Sequence, residues 1–271
     1  MEISRIAFEQ LQNTRDLGQF TMMDGRRIRP RHLLRSGNLH ALSLEDRAIL
    51  QNDYQLKTVI DFRTETEREH EPDTKISGVT YHWVPILDEA TMGITHEESG
   101  KSGMEQLISL LMNEGFDAKQ YMIATYRQLV NNSYSRGHYR RFFDILLTAP
   151  TDGAVLWHCS AGKDRVGIAT YLLLCALGIS PETAAEDYLA TNTFYSDTLN
   201  AVIAQLTEQT GNRDIIPGID ALFSVKSDYL DAVIHEIQTK FGGMDAFLEH
   251  EMGLDEQKRA ALCSLYLREN R

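Results

Sequence analysis

Apolar positions along the chain follow two periods. Short apolar runs bounded by turn residues predict strands at Leu56 to Phe62, Val79 to Leu87 and Gly153 to Trp157. Arg5 to Glu9 and Gln19 to Ile28 also read as strands, with Asp24-Gly25 supplying a hairpin turn. Helical spacing takes over elsewhere. Ser43-Leu44-Glu45-Asp46 places a capping hydroxyl and first-turn acids ahead of a helix to about Asp53, Glu65 to His70 forms a short acidic helix, and Met104 to Leu147 holds at least two helices broken near Gly115 and Asn131 to Ser135. Between them, Asp88 to Gly103 has the glycine-containing polar composition of a mobile loop near a site. Val166 to Leu177 is apolar on nearly every side and stops at Gly178, which predicts a buried helix. From Ser180-Pro181-Glu182, a cap followed by a first-turn proline, the pattern is helical to Arg271. Strands alternating with helices through residue 178 predict an α/β fold with a mainly parallel central sheet flanked by helices. The expected organisation is one domain over 1–271, with an α/β core about 1–178 and a helical part about 179–271.

Composition narrows the function. With 271 residues, 42% hydrophobic and 24% charged, the chain is a folded globular protein rather than a disordered one. Its 27 lysines and arginines against 39 aspartates and glutamates give a formal charge of -12, a field that repels nucleic acid. Arg26, Arg27, Arg29, Arg31 and Arg35 run against that balance. They read as a solvated hairpin face, with a patch facing an anionic headgroup as the alternative. Three sparse cysteines suit a reducing compartment, so the cytoplasm is the expected location. The N-terminus shows no signal peptide, and the longest apolar stretch, Val166 to Ile179, is too short to span a bilayer.

The chemistry concentrates in His158-Cys159-Ser160-Ala161-Gly162-Lys163-Asp164-Arg165-Val166-Gly167, between a predicted strand and the buried helix. Backbone amides at a helix N-terminus make such a loop an anion cradle. The helix end and Arg165 both favour the thiolate of Cys159, as at sites where such thiols titrate at about 3.5 to 7.5. Arg165 can fork two donors onto two phosphate oxygens, and Gly162 lets the loop turn toward a ligand. A nucleotide-type phosphate loop is excluded, because Trp157 and Asp164 stand where it needs glycine and serine or threonine. Without a Cys-x-x-Cys or His-Glu-x-x-His pattern, no metal or organic cofactor is expected. Cys175 and Cys263 read as packing residues, and His158 as a residue that orients the loop. Arg15-Asp16 and Asp61-Phe62-Arg63 read as buried ion pairs bracing it from behind.

This loop resembles that of the cysteine-dependent tyrosine and phosphoinositide phosphatases of bacteria and fungi, whose signature is HCxAGKDR[TV]G. The similarity extends to Asn13-Thr14-Arg15-Asp16-Leu17-Gly18, Leu34-Arg35-Ser36-Gly37, Val59-Ile60-Asp61-Phe62-Arg63 and the helices around Tyr229 to Glu251. The resemblance implies a protein tyrosine phosphatase-like fold with a helical lid. It implies that Cys159 attacks phosphorus to form a cysteinyl-phosphate, that Arg165 holds the phosphoryl group, and that the amides of Ser160, Ala161, Gly162, Lys163, Asp164 and Arg165 bind its oxygens. Asp164 takes the role of acid and then base, with Asp73 and Asp88 as competitors, and Lys163 that of a further phosphate or inositol-headgroup contact. The chain departs from many cysteine phosphatases in carrying Val166 where a hydroxyl assists sulfur as leaving group, a role for which Ser160 is the nearby substitute. The expected activity is a protein-tyrosine phosphatase with phosphoinositides as further substrates; the alternative is a phosphate-binding pseudophosphatase module without turnover.

Overall fold

A computed structural model describes residues 3, 5–22, 24–88 and 101–269. In chain order the strands are β1 (Arg15–Asp16), β2 (Arg27–Ile28), β3 (Leu33–Ser36), β4 (Thr58–Asp61), β5 (Thr80–Trp83), β6 (Val155–His158) and β7 (Leu267–Arg268). The helices are α1 (Leu44–Asn52), α2 (Glu65–His70), α3 (Lys101–Leu111), α4 (Ala118–Asn131), α5 (Ser133–Thr148), α6 (Asp164–Ala176), α7 (Pro181–Phe194), α8 (Ser196–Thr210), α9 (Ile216–Phe223), α10 (Ser227–Lys240), α11 (Met244–Ala246), which runs into a π-helical turn, and α12 (Glu256–Tyr266). A central sheet of order β1-β3-β6-β4-β5 is parallel except where β1 meets β3.

All four residues of β6 are buried, and their alternation divides the core. Val155 and Trp157 join Leu33 and Ile60 on the face covered by α5 and α6, whereas Leu156 joins Leu34 and Val59 on the face covered by Leu50 of α1. The period-2 geometry of a strand buried on both faces explains why these segments read as continuous apolar runs. α6 is buried along almost its entire length, as its all-round apolarity requires. The parallel strands end together at Ser36, Asp61 and His158, which are in register, so the loop after β6 lies at the carboxyl edge where α/β sheets hold ligands.

Four expectations change. Arg5 to Glu9 forms no strand: the Ile6 amide donates to the Thr14 carbonyl, but the amides of Phe8 and Glu9 turn to the Ile6 carbonyl and the Asp46 carboxylate, so no ladder develops. The hairpin keeps its turn, with Gly25 at φ 88° and Met22 N–H donating to the Arg26 carbonyl at 2.7 Å, but only Arg27–Ile28 is regular strand. The C-terminal part is not wholly helical, since Leu267–Arg268 pairs antiparallel with β2. Most of the loop expected over 88–103 lies outside the described residues, and its last three residues belong to α3.

Candidate active site

The loop between β6 and α6 is shaped by its carbonyls. The Ser160 carbonyl accepts from the Asn38 amide at 2.8 Å, that of Ala161 from Asn13 Nδ2 at 3.2 Å, and that of Gly162 from Asn13 Nδ2 at 2.9 Å and Arg35 Nη2 at 2.8 Å. In a trans peptide the N–H points opposite to the C=O, so tying these carbonyls outward turns the amides of Ala161, Gly162 and Lys163 inward. Gly162 has φ 68°, and a Cβ there would lie 2.4 Å from the Ser36 carbonyl oxygen, so no side chain fits.

Behind the loop stands a buried charge cluster. Arg15 Nε donates to Asp187 Oδ1 at 3.0 Å, Arg35 Nη1 pairs with Asp187 Oδ2, and Arg15 Nη1 donates to Asn13 Oδ1 at 2.5 Å. The partner expected for Arg15 from its neighbour in sequence is therefore corrected to Asp187 on α7, while Asp16 instead accepts from the amides of Gly18 and Arg31. Arg35 leaves the solvated basic set altogether, being fully buried. Burial lowers the Arg15 pKa to about 9, assisted by the charge of Arg35 and opposed by Asp187. Asp187→Ala would leave two buried guanidiniums without their carboxylate, and urea unfolding should show a loss of about 3–5 kcal/mol. A loss under about 1 kcal/mol would deny the cluster its bracing role.

A second cluster joins Asp61, Asp73, Arg63 and His158. Arg63 Nη2 lies 2.9 Å from Asp61 Oδ2 and 2.7 Å from Asp73 Oδ1, and His158 Nε2 lies 3.2 Å from Asp73 Oδ2. Two carboxylates and an imidazole so close offer ligand atoms for a cation, but the guanidinium of Arg63 already supplies the positive charge. Burial lowers the His158 pKa less than Asp73 and Asp61 raise it, so it rises overall. Burial raises Asp73, yet His158 and Arg63 hold it down at about 2. The Asp61–Arg63 pair matches the sequence expectation.

At the loop, Cys159 is 1% exposed and Arg165 is 3% exposed. Arg165 is clamped by Glu67 of α2, with Nη1 to Oε2 and Nη2 to Oε1 both at 2.7 Å. Ser160 Oγ donates to Glu67 Oε1 at 2.6 Å, so its hydroxyl is engaged with Glu67. Burial raises the Glu67 carboxyl, but Arg165 and the hydrogen bonds from Arg165 and Ser160 bring it to about 2. Asp164 opens α6, accepting from Tyr126 Oη on Oδ1, with Lys163 Nζ 3.2 Å from Oδ2. Tyr188 donates to the same Tyr126 hydroxyl at 2.9 Å. Lys163 Nζ also donates to the Leu222 carbonyl of α9 at 2.5 Å, which links the helical part to the loop.

Cys159, Ser160, Ala161, Gly162, Lys163, Asp164 and Arg165 thus form one contiguous loop, while Asp73 lies in the cluster of His158 and Arg63. Sequence reasoning missed Glu67, Tyr126 and Asp187, and met Asn13 only within a motif of the resemblance, with no role assigned to it. Only Glu67 carried a local signal: Thr64-x-x-Glu67 is a capping box, with the Thr64 amide donating to Glu67 Oε2 at 2.7 Å.

A family model described as the tyrosine phosphatase family matches residues 6–268. A Cupriavidus necator protein provisionally named a tyrosine-protein phosphatase is 29% identical over 254 residues, covering 92% of this chain and 85% of its own. The triple specificity protein phosphatase PtpB of Mycobacterium tuberculosis is 27% identical over 243 residues, 82% of this chain and 86% of its own. A tyrosine-protein phosphatase of Nostoc commune is 36% identical over 88 residues, 31% of this chain and 30% of its own.

Proposed function

Since the chain belongs to the tyrosine phosphatase family, we propose that it hydrolyses phosphotyrosine through a cysteinyl-phosphate on Cys159 and accepts phosphoinositides as further substrates. The carrying observation is the loop itself: its carbonyls are tied outward, and the guanidinium that would meet phosphate is clamped in plane by Glu67. In the first step Cys159 sulfur forms a bond to phosphorus while the ester P–O bond breaks, and Asp164 gives its proton to the departing oxygen. In the second, Asp164 takes a proton from water, water oxygen bonds to phosphorus, and the S–P bond breaks to release phosphate. Arg165 and the inward amides stabilise charge on the equatorial oxygens in both steps. Val166, fully buried on α6, brings no hydroxyl to the leaving sulfur.

Lys163 supports the wider substrate range. A multiply phosphorylated headgroup can draw its ammonium from the Leu222 carbonyl and from Asp164 Oδ2, freeing that oxygen for the leaving group. A relative named for triple specificity is a reason to test more than one class of substrate. The test compares kcat/KM for a phosphotyrosine peptide, a phosphoserine peptide and phosphoinositide vesicles, with chelator present. Lys163→Met should reduce the phosphoinositide value about tenfold more than the phosphotyrosine value, because one charge-assisted contact is lost only there. The ratio cancels any shared disturbance of Asp164. An unchanged ratio would remove Lys163 from headgroup recognition, and no turnover of the vesicles would confine the activity to phosphoproteins.

A further inference from the structure

The arginines left over from the hairpin gather at a different place. Arg26, Arg27 and Arg29 of the β2 segment meet Arg268 of β7 around a cleft of about 690 Å³, with Cys263 and Glu269 also in its wall. The hairpin packs through Met22 against Gly178, just beyond the end of α6 opposite the catalytic loop. A helix of 13 residues rises about 20 Å, so this cleft is separate from the loop.

Charge in the cleft is unbalanced. Asp24, paired with Arg26 at 2.8 Å, and Glu269 are set against four guanidiniums, in a chain whose formal charge is -12. Arg29 donates Nε and Nη2 to the carbonyls of Leu267 and Ser264 at 3.1 and 3.2 Å, which pins its guanidinium without neutralising it. Arg27 spends Nη2 on the Gly18 carbonyl at 3.0 Å, and its buried Nε has no hydrogen-bond partner among the described residues. A buried donor without a partner is unfavourable, and pinned guanidinium forks match the oxygens of phosphate. The cleft is also of a size that holds a small organic ligand.

We propose that the cleft lined by the paired strands β2 and β7 and the end of α12 is an anion site for a ligand carrying two or more phosphate groups. The shared chemistry is that of a soluble polyphosphorylated molecule or of a phosphorylated lipid headgroup, and the edge of the small sheet supplies the forks.

Cys263 gives a readout that the catalytic loop does not share. In full-length Cys159→Ser protein, iodoacetamide labelling of Cys263 is followed by mass spectrometry, with buried Cys175, whose thiol is pushed up to about 12, as the unreactive reference. The soluble probe is inositol hexakisphosphate, and the lipid probe is a phosphatidylcholine vesicle containing phosphatidylinositol bisphosphate. At ten times its dissociation constant a bound probe should slow labelling about tenfold. Protection by the first identifies a soluble ligand, and protection by vesicles alone a headgroup. The double variant Arg26→Ala/Arg268→Ala, which spares the carbonyl contacts of Arg27 and Arg29, should weaken protection at least about tenfold, as should Arg27→Gln. No protection by either probe overturns the site. So does equal protection by sulfate at matched ionic strength, or protection undiminished in both variants.

Discussion

Replacing Cys159 with serine is expected to lower turnover by on the order of 10⁵–10⁶-fold, the scale seen when a covalent nucleophile is lost, while phosphate still binds. The two halves of that result have separate causes. A serine hydroxyl at neutral pH is a poor nucleophile without a base, so the first bond to phosphorus no longer forms. The cradle does not depend on sulfur: the carbonyls of Ser160, Ala161 and Gly162 remain tied to Asn38, Asn13 and Arg35, and Arg165 remains clamped by Glu67. Calorimetric titration with phosphate should therefore give an affinity within about threefold of the parent, since the charge-assisted contacts persist. Near-parental turnover would sink the covalent mechanism. Loss of both rate and affinity would mean that the thiol holds the loop together rather than attacking.

Asp164→Asn is expected to cost about 10²–10⁴-fold with an aryl phosphate of poor leaving ability, and progressively less as the leaving group becomes more acidic. Asparagine keeps the carbonyl oxygen that accepts from Tyr126, so the start of α6 is preserved while the proton is lost. Two other carboxyls near the loop fail the requirement for a proton donor. Glu67 and Asp73 are each brought to about 2 by their cationic neighbours, and both remain ionised wherever the donor must carry a proton. Asp73→Asn should accordingly lower stability through Arg63 and His158 without altering leaving-group dependence. Were Asp73→Asn or Asp88→Asn to show that dependence and Asp164→Asn not, the proton would come from outside the loop.

Short-range order was legible in the chain alone. The Ser43 cap of α1, the Ser180-Pro181 start of α7, the buried runs of β4 and β6 and the Cys159-to-Arg165 loop are all written in adjacent residues, because caps, turns and strand alternation are decided within a few positions. The charges that make the loop work were not. Glu67 reaches Arg165 across 98 residues and Asp187 reaches Arg15 across 172, separations at which no periodicity links one residue to the other. The five hairpin arginines look alike in sequence, yet the fold buries Arg35 behind the loop and leaves Arg26, Arg27 and Arg29 to meet Arg268 at a distant cleft. A buried charge must find a partner wherever packing brings one, so ion-pair identity is a property of the tertiary arrangement, whereas a helix start or a strand face belongs to the local chain.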